Sequence, residues 1–166
     1  MTTPRERRLQ ADFQKVQGLV AGSGGGLKLI STQGQPPTTY VIEYHCPSLV
    51  KEAGAAAIVR RQHRVEIRLD STYPLRTGSA TARLLTPVFN PHVFFNQDIC
   101  LGARWNPTET LDTLVLKIGA ILQLDPRVLD FNSLANPEAG AWVKKHPGQT
   151  PLPGAVDFKA PRNEHG

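Results

Sequence analysis

Near the start of the chain the apolar positions Leu9, Phe13, Val16 and Val20 recur at steps of four, three and four. That spacing places them on one stripe of an α-helix from Arg5 to about Val20, and a helix with one apolar stripe has to pack on something. The GSGGG run at 22–26 ends it. A glycine-rich loop can cradle phosphate, but a phosphate loop follows a strand and continues into Gly-Lys-Ser/Thr, so this run reads as a flexible turn. The period then changes to two. LKLIST (27–32), TYVIEYHC (39–46), RVEIRLD (64–70) and TARLL (81–85) are rich in β-branched and apolar residues. In the third, Val65, Ile67 and Leu69 alternate with Glu66, Arg68 and Asp70, as in a half-buried antiparallel meander. Between the second and third, PSLVKEAGAAAIVRR stays open: its alanines allow a short helix, and a hairpin extension fits equally well.

After an irregular loop of about twenty residues, Leu111, Leu114, Val115, Ile118, Ile121 and Leu122 meet the helical template without a miss. Thr108 or Thr110 suits its cap, Asp112 its first turn, and Pro126 lies just past its end. Pro137 is a good first residue for a second helix reaching about His146. PGQTPLPGAVDFKAPRNEHG is too rich in Pro, Gly and polar residues for a third long helix. One domain over residues 1–146 and an extended or disordered tail over 147–166 are therefore expected, with α+β order: helix, four strands, long loop, helix, helix. A loop that long in a small domain points to function.

Composition narrows the classes. A chain of 166 residues, 40% hydrophobic and 20% charged, makes one core and is too short for two ordinary domains. No apolar run approaches the ~18–20 residues of a membrane span, and MTTPRERRLQADF lacks the apolar stretch of a signal peptide, so a cytoplasmic protein without a membrane partner is expected. A reducing compartment leaves Cys46 and Cys100 as thiols. No CxxC or HxxxH spacing occurs, so neither metal nor cofactor is expected. The net charge of +5, with RERR at 5–8 and RRQHR at 60–64, would attract nucleic acid or an acidic protein. No aromatics are interleaved to stack bases, which disfavours nucleic acid and leaves solvated basic faces as an equal alternative.

A series of motifs runs from the turn before the fourth strand through the long loop: Tyr73-Pro74, Leu85-Thr86-Pro87, Asn90-Pro91-His92, Ile99-Cys100-Leu101 and Trp105-Asn106-Pro107. In order and spacing they resemble the ubiquitin-conjugating enzymes, whose pattern runs Tyr-Pro, Leu-Thr-Pro, His-Pro-Asn, Ile-Cys-Leu eight residues after that Asn, then Trp-x-Pro and a helix. The resemblance covers roughly residues 5–146 and is specific from Tyr73 onward. It implies the ubiquitin-conjugating fold and an enzyme that takes a ubiquitin-like protein from an activating enzyme as a thioester on Cys100, then passes it to an amine on an acceptor protein. Cys46, at a strand end, is expected in the core. Trp105 and Pro107 are expected to pack the loop against the central helix.

The departures shape the site. His92 stands where the family has the Asn that supports the loop and stabilises the oxyanion, and Asn90 stands at the family's His. The Cys100-to-Trp105 interval is three residues short, Thr77-Gly78 replaces a usual proline pair, and the added C-terminal helices are not evident. These features resemble divergent, bacterial conjugating enzymes. A free thiol is only a few per cent ionised at neutral pH, yet thiolate is a strong nucleophile and a thioester an activated acyl group, so loading needs little beyond access. Discharge to an amine develops an oxyanion, where one fixed donor is worth on the order of 3 kcal/mol. His92 is the candidate donor, or a base, with Asn90 as rival; the alternative is that His92 only bonds the loop backbone. The family's polar residue at the mouth of the site maps to Asn132, with Asp130 two residues earlier; both also suit turn caps. Arg5, Arg7 and Arg8 correspond to the helix surface that docks the activating enzyme. A catalytically silent variant that binds a ubiquitin-like protein, and a basic nucleic-acid module, remain as other classes.

Overall fold

The computed structural model describes residues 1–102 and 106–159. Helix α1, Pro4–Ala21, starts at a capping box: the Thr3 hydroxyl accepts from the Glu6 amide and the Glu6 carboxylate accepts from the Thr3 amide, each at 3.1 Å. Strands β1 (Leu27–Gln33), β2 (Thr39–Tyr44), β5 (His63–Leu69) and β6 (Ala80–Leu84) form an antiparallel sheet in the order β1-β2-β5-β6, the meander expected. The open segment becomes a separate hairpin of β3 (Ser48–Val50) and β4 (Ile58–Arg60), with Leu49 opposite Val59. Its alanines fall in the connection rather than in a helix.

Tyr40, Ile42 and Tyr44 of β2 and Val65, Ile67 and Leu69 of β5 project from one face into the core. They meet helix α2, Leu111–Leu122, whose six template positions are all buried. Each buried Leu or Ile there contributes roughly 1.5–3 kcal/mol, so this stripe is a main source of stability. The Tyr44 hydroxyl donates to the Val115 carbonyl at 2.7 Å, which fixes α2 against the sheet. Helix α3, Pro137–Lys145, is capped by the Asn136 side chain, which accepts from the Ala139 amide at 3.1 Å. A second cluster, with Leu49, Phe89, Leu124, Val143 and Leu152, lies under α3.

Two expectations need correction. Thr110 sits at the N-cap of α2 but makes no side-chain cap bond; the Leu111 amide instead donates to Asp12 of α1 at 3.1 Å. The segment after α3 is neither simply extended nor loose: it opens with a 3-10 turn, Pro147–Gln149, and packs on the core as far as Phe158. Leu152 and Phe158 are buried, and the Gln123 side chain bonds the backbone of Val156 through both of its polar atoms, at 2.6 and 3.0 Å. Phe158 stands edge-on to Tyr44 in a slot that exists only because two neighbours lack a side chain: a Cβ on Gly119 would lie 2.5 Å from the ring and one on Gly26 2.8 Å. No helix among the described residues is long and apolar enough to cross a membrane.

Candidate active site

The loop after β6 is built as a turn laid along the sheet edge. Leu84 and Ile99 amides donate to the Gln97 and Ala82 carbonyls, both at 2.9 Å, and Val93 bridges Ile99 across the turn. Gln97 takes the left-handed conformation (φ 73°) that closes it. Cys100 emerges from this turn partly exposed, its amide donating to the His92 carbonyl at 2.7 Å.

Asn90 is fully buried. Its side-chain amide donates to the Ile121 carbonyl at the end of α2 (2.8 Å) and its oxygen accepts from the His92 amide (2.9 Å). It therefore spends both of its polar atoms holding the loop. His92 is 5% exposed, and its Nε2 accepts from the Asp130 amide at 3.1 Å, which places the ring proton on Nδ1. Burial holds this imidazole below its ordinary range; the Asp130 carboxylate and a bond to the Ser133 backbone pull it up, and the Lys117 ammonium pushes it further down. The donor expected of His92 and its rival Asn90 thus meet a different geometry: in this state both side chains are committed to backbone groups.

Asp130 and Asn132 are exposed on the segment that His92 grips, with the Asp130 carboxylate accepting from the Asn132 amide at 2.9 Å, an Asx turn. Hydrogen bonds through His92 therefore link the Cys100 backbone, Asn90 and the Asp130–Asn132 turn. A residue missed in the sequence joins them: Lys117, beside the apolar stripe of α2, donates from Nζ to the Leu101 carbonyl. Cys46 is fully buried and burial pushes its thiol up to about 12, which makes it inert. Trp105 lies outside the described residues.

The basic residues of α1 divide. Arg7 is exposed, its side chain donating to the Thr2 carbonyl at 3.0 Å just before its own helix. Arg5 bonds the Asp70 carbonyl at 2.9 Å. Arg8 is not a free surface charge: it pairs with buried Asp12 at 2.9 Å and donates to the carbonyls of Pro107 and Glu109. Asp12 also accepts from the Tyr73 hydroxyl at 2.5 Å, so the Tyr-Pro motif is tied to the start of α2. The sequence signal for Asp12 was its position, three residues after Leu9 and four before Val16, on the buried stripe.

No family model matches the chain. It is 26% identical over 152 residues, 90% of this chain and 81% of the relative, to ubiquitin-conjugating enzyme E2 2 of Debaryomyces hansenii. Identity to the protein of the same name in Candida albicans is 25%, covering 88% and 74%. A solved ubiquitin-conjugating enzyme from Trypanosoma cruzi superposes with a TM-score of 0.61 at 17% identity, covering 89% of this chain and 92% of that one. These similarities support a divergent member of the ubiquitin-conjugating enzyme family. Human ubiquitin-conjugating enzyme E2 G1 shares the fold too, with a TM-score of 0.52 at 19% identity over 70% of this chain and 95% of that one. The similarity supports a ubiquitin-conjugating function in general terms, and with it a ubiquitin-like protein, an activating enzyme and an acceptor as the classes of partner.

Proposed function

We propose that Cys100 carries a ubiquitin-like protein as a thioester, received from an activating enzyme and passed to an amine. In loading, the Cys100 thiolate attacks the carbonyl carbon of the incoming thioester, a new C–S bond forms, and the donor cysteine leaves as thiolate. In discharge the amine nitrogen attacks the same carbon, the Cys100 sulfur leaves, and the amine gives up a proton. The observation that carries this reading is the contrast between the two thiols: Cys100 is partly exposed on a hydrogen-bonded turn, Cys46 sealed in the core. The Asp130 carboxylate is the group at the mouth able to take the amine's proton, and Asn132 orients the amine. His92 acts on the chemistry by holding the turn and the 130–133 segment together. Arg7, with Arg5 beside it, steers the activating enzyme. A cytoplasmic setting keeps Cys100 reduced, and the departures at His92 and after Cys100 favour a bacterial system of this type.

The test is charging with the cognate activating enzyme, its ubiquitin-like protein and ATP. A thiol-sensitive adduct is expected that Cys100→Ala abolishes and Cys46→Ala leaves in place. An adduct that survives Cys100→Ala overturns the assignment, and no adduct in the wild type supports the silent, binding-only variant.

A further inference from the structure

We propose that Lys117 is an electrostatic positioning residue for Cys100, its ammonium stabilising the negative charge of the thiolate. The Nζ donates to the carbonyl of Leu101, the residue directly after the cysteine, and the amide of Cys100 itself is held by the His92 carbonyl. The cysteine is thus pinned from both sides, on one side by a charge. The same ammonium is the least of the influences on His92, adding a little to the push of burial toward the neutral form.

Lys117 is placed there by the fold. It follows Leu114 by three residues and precedes Ile121 by four, and so leaves α2 beside the buried stripe. With Ile99, Leu101 and Gly102 it lines a cavity of about 510 Å³ under the cysteine loop. The other charges on that cavity largely cancel: Glu66 pairs with Arg68 at 2.8 Å and Asp98 with Arg83 at 3.0 Å, with Glu109 the remaining carboxylate. His92, neutral, and Asp130 face the same loop. The ammonium is part-buried at the carbonyl next to the cysteine, and salt screens partly buried charges less than exposed ones. Helix α2 therefore carries a cation beside the turn whose thiol reacts as a thiolate. During transfer no charge is created or lost overall; it passes from Cys100 sulfur to the carbonyl oxygen and on to the leaving sulfur, under the same ammonium.

The inference rests on Cys100 being the reactive thiol, but its test needs no partner protein. Alkylation of Cys100 by iodoacetamide is followed by peptide mass from pH 6 to 10 in the wild type and in Lys117→Met, Lys117→Gln and Lys117→Arg. Gln keeps a donor for the Leu101 carbonyl without the charge, and Arg keeps the charge. Lys117→Met and Lys117→Gln are expected to react about two- to five-fold more slowly at pH 7 and to converge with the wild type at pH 10, while Lys117→Arg follows the wild type. The deficit should fade in 1 M salt. Profiles that superimpose, or a Gln variant equal to the wild type, overturn the proposal and leave Lys117 as a backbone anchor. Failure of charging with normal alkylation profiles would count against the proposed function and not against this residue.

Discussion

The two ends of α2 are each held by a side chain from elsewhere in the chain, by opposite means. At the start, the Asp12 carboxylate receives the Leu111 amide, Arg8 and Tyr73, a buried charge that suits the positive end of a helix. At the finish, Asn90 gives its amide to the Ile121 carbonyl, and no net charge is involved. The charged node knits α1, the Tyr-Pro turn and the stretch before α2 together. The neutral node carries the cysteine turn and, through His92, the 130–133 segment. A buried charge that loses its partners costs far more than a neutral group that does, so the first node governs stability. The second is cheap to disturb and governs geometry.

Removing the carboxylate tests the first half of that contrast. Asp12→Ala strands Arg8 and leaves the Leu111 amide and Tyr73 hydroxyl without their acceptor, so denaturant unfolding should show a loss on the order of 3–5 kcal/mol. A loss below about 1 kcal/mol would mean that water takes over the node. Asn90→Ala should cost less, about 1–3 kcal/mol, for one buried carbonyl and one amide left unpaired. If the two variants prove equally unstable, the distinction between charged and neutral ends fails.

His92→Ala sharpens the second half. Its stability loss should be smaller still, whereas single-turnover discharge of preloaded protein to free lysine should slow about ten-fold, a loss of about 1.4 kcal/mol, with loading nearly intact. His92→Asn offers an oxygen that can accept from the Asp130 amide, and should recover much of the discharge. Equal discharge by wild type and His92→Ala would remove His92 from the chemistry altogether.

The same residue gives the fold a pH signature. Burial lowers His92 and His63 in the folded state, so each binds its proton more readily when unfolded. Their stabilisation is complete above the unfolded value of ~6.5 and is lost as pH falls from there through the lower folded values. Glu43, held down to about 2 first by its bond from Arg64, contributes above the unfolded carboxylate range and loses that contribution as pH falls toward 2. Melting temperature should therefore step down twice on acidification, and the upper step should shrink in His92→Ala. The smallest effect belongs to the exposed end of α1: Arg7→Glu should slow charging a few-fold at low salt without changing the melt, whereas Arg8→Glu should unfold the node.

The periods of the sequence were enough to give α1, the four-stranded meander and α2, because a face that must be buried imposes its spacing on neighbouring residues. The cysteine motif was equally legible, since it is a local pattern within one loop. Partnerships were not. Arg8 stands four residues before Asp12 and Arg7 does not, yet that spacing alone does not show that the carboxylate is buried and ties Arg8 to the start of α2 while Arg7 faces solvent. The sequence left His92 open between a donor or base and a bond to the loop backbone, and only the fold brings the Asp130 amide to its Nε2 lone pair. A tail rich in Pro and Gly gave no sign that Phe158 would find a slot between Gly26 and Gly119, residues far apart in the chain. Local spacing determines which face of an element is apolar; which polar atom meets which, and where a single aromatic finds space, is decided only when distant segments are brought together.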